Sequence, residues 1–340
     1  MRELREAFRE FDYVVLTKPS NLAWATEFPD ALALVVDVKT GESTLYVSRL
    51  DFRRARATAK ADRIIGFAAI EVPPRTPGEE LIVAKNILEK LKELRGRVAS
   101  DASGLGEDVT AKVLEMRSIK GEEELGRMKK ALEITEEVLS SLGDLEGLRE
   151  REVAASIYKR MVELGSDGVA FEPIVASGPH SAWPHYNYGD RRISGGDVVV
   201  MDVGARYRLY CADVTRTFVV GAPPSQLRDA LYAVYEAAKT AEKYVKSGVP
   251  ARDIDLAARR VLEEYGFAQY YIHSTGHGVG VEVHELPKVS PASEDVVREG
   301  MVITIEPGVY INGLGGVRIE NMIHVSSSGP VVLNKMPYLI

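Results

Sequence analysis

Four carboxylates stand where strands are otherwise apolar. Asp202 lies in VVVMDVGA, Asp213 in YCADVTRTFVV, Glu306 in VITIEPGVY and Glu320 in GVRIENMIHV. A lone carboxylate buried among Val, Ile and Met carries a heavy desolvation cost or takes up a proton. One such residue could pair with a core cation; four in one stretch of chain call for a shared one. A tight hairpin centred between Tyr207 and Arg208 sets Asp202 directly opposite Asp213, with Cβ atoms about 4.5–5.5 Å apart. Like charges so placed repel unless a cation lies between them. Glu306 and Glu320 flank a second reversal, through the glycine-rich NGLGG, in the same way. Two divalent ions balance four carboxylates, and bridging carboxylates suit a centre whose ions lie roughly 3.5–4 Å apart. An imidazole is expected beside borderline metals such as Mn, Co or Zn. All six histidines, His180, His185, His273, His277, His284 and His324, come after residue 179. His277, in STGHGVGVEVHE, is the best ligand among them, and Gly276 and Gly278 leave room for it beside the metals.

The elements that must hold these residues fall into two parts. Residues 1–117 alternate short helices and strands: YVVL, then ALALVVDVKTGESTLYVS as two strands around Thr40-Gly41, then a helix over EELIVAKNILEKLKEL. This reads as a small α/β domain without histidine. The charged stretch RSIKGEEELGRMKK opens residues 118–340. There a helix carries Leu125, Met128, Leu132 and Leu142, and a second carries Val153, Ile157, Met161 and Leu164. After a strand pair, a third carries Leu227, Leu231, Val234, Ala238 and Ala241, and a fourth covers about 253–265 before the second strand pair. Two helices and a hairpin, then two helices and a hairpin, suggest a duplicated α+β unit packed about a pseudo-twofold axis, with a site between its halves.

Composition narrows the function. The 340 residues are 45% hydrophobic and 27% charged, ordinary for a globular protein. No run approaches the roughly 18 apolar residues of a membrane helix, and the start, MRELREAFREF, is too charged for a secretory signal. The single cysteine, Cys211, forms no internal disulfide. A net charge of −7 without a long basic run argues against nucleic acid and anionic membrane as partners. The expectation is a cytoplasmic protein. Two glutamines and six asparagines against 93 charged residues fit a thermophile.

In the order Asp202, Asp213, His277, Glu306 and Glu320, the chain resembles the metal-ligand series of the "pita-bread" metallopeptidases. That family includes methionine aminopeptidase, aminopeptidase P and prolidase. The contexts MDVGA, YCADVTRT, STGHGVG, TIEPGVY and GGVRIEN, with FEPIVASGPHSAWPH upstream, carry the likeness from RSIKGEEEL to the C-terminus. The N-terminal domain resembles the one shared by creatinase, prolidase and aminopeptidase P, and the short archaeal and bacterial prolidases fit best. The resemblance implies a small α/β domain followed by a pseudo-twofold duplicated pita-bread α+β catalytic domain. It implies two divalent ions, a small peptide substrate, a homodimer and hydrolysis of the Xaa-Pro bond of dipeptides by a hydroxide bridging the ions. By the same resemblance, Asp202 is expected to hold one ion, His277 and Glu306 the other, and Asp213 and Glu320 to bridge them. Glu306 takes and returns the proton. His185 and His284 line the substrate pocket and steady the carbonyl or oxyanion. Thr215 bonds near the bridging water, and Arg318 pairs with the substrate carboxylate. The resemblance also implies that, in a dimer, the segment 21–29 reaches a partner's site.

Rival readings remain at this level. Aminopeptidase P acts on longer Xaa-Pro-Yaa peptides. A creatinase-like hydrolase without metal, or a binding module on the same fold, would have lost several of the five ligands. His180 stands where many relatives have asparagine and reads as a surface or supporting residue, whereas His273 and His324 read as structural or near-site residues. Cys211 reads as an inert buried thiol.

Overall fold

The computed structural model describes residues 1–75 and 77–340. It divides into two units, Met1–Arg117 and Ser118–Ile340.

In the first unit, seven strands form one mixed sheet. Its order is Leu81–Val83, Arg63–Ala68, Ser43–Ser48, Ala31–Asp37, Tyr13–Leu16, Val98–Ser100 and Glu107–Asp108. Strand residues alternate between faces. Val14 and Leu16 join a core with Leu4, Phe8, Leu45 and Phe52, whereas Val15 joins Leu91, Val98 and Leu105 on the other side. Gly41, at φ 82°, makes the reversal expected at Thr40-Gly41. The helix expected over 79–94 is not one element. Leu81–Val83 pairs in parallel with the strand Arg63–Ala68, and Ile87–Leu91 forms a five-residue helix. Asn86 divides them: its side chain accepts the Leu88 N–H and starts a new helix. The segment 21–29 belongs mostly to the helix Pro19–Thr26, where Asn21 is buried between Asp101 and Arg117.

In the second unit, the helices Glu122–Ser140 and Glu150–Glu163 cover one half, and Ser225–Tyr244 and Ala251–Glu264 the other. Each stripe meets its own core. Met128, Leu132, Ile157 and Met161 pack with Val199, Met201 and Val214. Leu227, Val234, Ile254 and Leu262 pack with Ile303, Ile305, Val317 and Ile323. The first half supplies a three-stranded sheet in the order Val214–Val219, Val198–Val203, Ile174–Ser177. The second supplies a five-stranded sheet in the order Glu285–Val289, Gly276–Gly278, Val302–Ile305, Asn321–Ser326, Gly329–Val332. The duplicated plan is therefore physical: each helix pair buries its apolar stripe against its own hairpin.

The first hairpin differs from its expected register. Asp202 faces Thr215, not Asp213, and the ladder runs on through Arg206 facing Cys211 to Tyr207 facing Tyr210. The turn is Arg208-Leu209, with φ of 46° and 75°. Positive φ at both central residues suits the primed turns of two-residue hairpins. Neither residue is the glycine or asparagine that would announce such a turn. Because side chains alternate with a period of two, moving the turn by one residue displaces the pairing by two and leaves both carboxylates on the same face. Gly204 stands where a Cβ would come within 2.1 Å of the Ala212 carbonyl.

Candidate metal centre

Three of the four carboxylates sit where strand pairing is interrupted. Asp213 falls between the strands Tyr210–Cys211 and Val214–Val219. The second hairpin pairs Val302 with His324 down to Ile305 with Asn321, and resumes with Gly308 facing Arg318. Glu306 and Glu320 occupy the gap on opposite strands. Pro307 follows Glu306 and offers no N–H to the ladder. The freed N–H groups reach other elements. Glu306 N–H donates to the Thr275 carbonyl at 2.7 Å, and Glu320 N–H to the Thr215 carbonyl at 3.0 Å. These two bonds tie the second hairpin to the His277 strand and to the first hairpin. The glycines around His277 serve the backbone rather than metals: a Cβ at Gly276 or Gly278 would lie 2.0 Å from the Thr304 or Leu286 carbonyl.

The five residues converge. Atoms of Asp213, His277 and Glu320 able to bind a metal lie within 4.8 Å of one another. His277 Nε2 is 3.5 Å from both Asp213 Oδ2 and Glu306 Oε1. His277 Nδ1 is 3.0 Å from the Gly278 carbonyl, so Nδ1 carries the proton and Nε2 turns a lone pair toward the carboxylates. Burial, then the neighbouring His284, lowers the imidazole to about 4, so His277 is neutral near pH 7 and forms no ion pair. Burial and the charges of Glu320, Asp202 and Glu306 push the Asp213 carboxyl well up. Burial, then Glu306 and Asp202, does the same to Glu320. Burial raises Glu306 to about 8 against the opposing pull of Arg318. Asp202 Oδ1, Asp213 Oδ1 and Glu320 Oε1 are buried without a hydrogen-bond partner among the described residues. Such unsatisfied acceptors are expensive. Divalent cations among them would satisfy all three acceptors and the imidazole lone pair at once. Four carboxylates and one imidazole are a donor set suited to divalent ions of the Mn, Co and Zn kind.

Arg318, expected to pair with a substrate carboxylate, is enclosed by protein partners. Its side chain is 4% exposed. Nη2 donates to Asp202 Oδ2 at 2.8 Å, Nη1 to the Tyr310 hydroxyl at 2.8 Å, and Nε to Thr215 Oγ1 at 3.1 Å. With a protein partner at each nitrogen, the guanidinium holds Asp202 from within the fold. Thr215 in turn donates to Glu320 Oε2 at 2.8 Å, so it links Arg318 to the cluster. The network extends to His273. Its Nδ1 donates to the Ser274 carbonyl, and its Nε2 accepts from Tyr310, 2.9 Å away. Burial first, then Arg318, keeps this imidazole neutral, down to about 4.

His284 is exposed, and its ring centre lies 4.3 Å from that of His277. Partial burial lowers its pKa, opposed by Asp202 and aided by His185. His185 is exposed on the segment after the turn Gly178–Ala182. His180 bonds to Glu150 instead of joining the cluster. His324 is in the sheet, facing Val302. No sequence pattern singles out Tyr310, Glu150 or the buried pair Lys120–Glu285, whose side chains are 0% and 2% exposed and 2.9 Å apart. Glu285 directly follows His284 and also accepts the Glu282 N–H, bracing that loop from beneath.

The sequence model of metallopeptidase family M24 matches residues 126–327, more than half of the chain and all five clustered residues. The chain belongs to metallopeptidase family M24. Individual relatives extend the likeness over both units. A Xaa-Pro dipeptidase of Pyrococcus horikoshii is 41% identical over 304 residues, covering 87% of this chain and 85% of that protein. One of Pyrococcus furiosus is 38% identical over 332 residues, covering 95% and 93%. The solved structure of prolidase from Pyrococcus furiosus matches with a TM-score of 0.84 at 34% identity, covering 99% of this chain and 100% of that one. This M24 chain thus has the pita-bread architecture, and membership of a metallopeptidase family implies divalent ions.

Proposed function

We propose that the protein hydrolyses the Xaa-Pro bond of dipeptides with two divalent ions. The observation that carries this reading is the convergence of Asp202, Asp213, His277, Glu306 and Glu320 with three buried acceptors unsatisfied. Asp202, Asp213, His277, Glu306 and Glu320 would hold these ions, Asp202 on one side and His277 with Glu306 on the other, with Asp213 and Glu320 between. When bound, such ions supply Lewis acidity that activates water and polarises a carbonyl. Glu306 takes the nucleophile's proton and returns it to the leaving nitrogen. Arg318 and Thr215 hold Asp202 and Glu320 in place. His284 and His185, both exposed, donate to the scissile carbonyl and bind the substrate carboxylate. A proline nitrogen has no N–H in the peptide bond, so recognition depends on ring shape and on the carbonyl.

The reading extends to manganese, cobalt or zinc as the ions, to a homodimer, to the cytoplasm and to a thermophilic source. The likeness to Xaa-Pro dipeptidases over nearly the full chain supports dipeptides over longer peptides. Xaa-Pro, Xaa-Pro-amide, Xaa-Pro-Yaa and non-proline dipeptides, compared with added Mn or Co, test it. A hydrogen bond to the free carboxylate is worth about 1.5–3 kcal/mol, so Xaa-Pro should exceed its amide and the tripeptide in kcat/KM by roughly tenfold or more. Equal rates on Xaa-Pro-Yaa would replace this reading with that of an aminopeptidase P.

A further inference from the structure

Among the described residues, Glu150 and Asp255 are wholly buried carboxylates outside the cluster. Glu150, in the first turn of the helix Glu150–Glu163, has no exposed surface. Its two oxygens accept from Ser177 N–H at 2.9 Å, Ser177 Oγ at 2.7 Å, Tyr186 OH at 3.0 Å and Gly189 N–H at 3.0 Å. His180 Nδ1 lies 3.0 and 3.1 Å from them. These donors come from both ends and the interior of a single loop, residues 177–189. The His180 ring held in this way lies 5.0 Å from Trp183 and 4.5 Å from Tyr186 between ring centres. The same loop carries His185, which is exposed and whose side chain makes no hydrogen bond among the described residues.

We propose that Glu150 is the positioning residue for His185: its carboxylate buckles residues 177–189 and so fixes where that imidazole meets the substrate. The proposal rests on the reading of His185 as a substrate-contacting group. Only an acceptor on both sides suits the site, because a backbone N–H meets each oxygen, from Ser177 on one side and from Gly189 on the other. An amide would turn an NH₂ toward Tyr186 and Gly189 or toward Ser177, and one end of the loop would come loose. A loop freed at one end regains backbone freedom, and a misplacement of about 1 Å in a reacting group costs on the order of 10²-fold.

The test is a double-mutant cycle in the metal-loaded enzyme with Glu150→Gln, His185→Ala and the pair, read as kcat/KM on a Xaa-Pro dipeptide and as amide hydrogen exchange over residues 177–189. Glu150→Gln should lower kcat/KM roughly 10- to 100-fold, leave bound metal unchanged and speed exchange in the loop. In the His185→Ala background the same change should cost less than about threefold, because coupled residues are non-additive. Equal costs in both backgrounds, or unchanged exchange, would overturn the proposal. Should Glu150→Gln not fold, Tyr186→Phe removes a single donor and enters the same cycle with a smaller effect of the same pattern. If the wild type cleaves no Xaa-Pro substrate, the functional reading fails, while loop exchange still decides the buckle.

Discussion

Glu306→Gln should lower kcat on a Xaa-Pro dipeptide by roughly 10²–10⁴, the range for loss of a general base. Glutamine keeps the shape and one oxygen donor, so metal content should fall only in part. The backbone that places the residue is untouched, because the Glu306 N–H bond to the Thr275 carbonyl does not involve the side chain. What disappears is the ability to take a proton. Buried beside Asp202, Glu306 already has its carboxyl raised to about 8, a sign of how strongly its charge depends on cations nearby. Metal analysis of the variant beside its turnover checks the prediction. Near-normal turnover in a metal-loaded Glu306→Gln protein would move the base elsewhere.

Arg318→Met should lose stability, metal affinity and activity together. The guanidinium and Asp202 are both largely buried. Removing one partner of such a pair costs about 3–5 kcal/mol, because the other charge is left uncompensated. Tyr310 and Thr215 lose a donor in the same change. Since the guanidinium is turned inward, the activity loss should be equal on Xaa-Pro and on its amide. Thermal unfolding, metal titration and kcat/KM on the two substrates check this. A loss confined to the substrate with a free carboxylate would make Arg318 its anchor after all.

Much of the centre could be read from the chain because its chemistry contradicts its surroundings. Asp202, Asp213, Glu306 and Glu320 are conspicuous among Val, Ile and Met, and alternation fixes their face even when the register is displaced. The register itself was hidden, because Arg208-Leu209 adopts positive φ without a glycine. The pairing of Arg318 with Asp202 was hidden for a different reason. Nothing near it in sequence shows that Asp202, 116 residues away, takes up its charge. Glu150 and Lys120 lie in charged runs that read as solvated surface, and only tertiary packing buries them. In the first unit, a helical period over 79–94 concealed a strand and a separate capped helix. Propensity there is a weak signal that sheet pairing overrides.

Chelation followed by metal titration tests the central claim most directly. The protein is dialysed against EDTA and metal is added back while Xaa-Pro hydrolysis and bound metal are measured together. Activity should vanish with the metal and return with Mn or Co, saturating as two ions bind per chain. Full hydrolysis by protein stripped of metal would contradict the account.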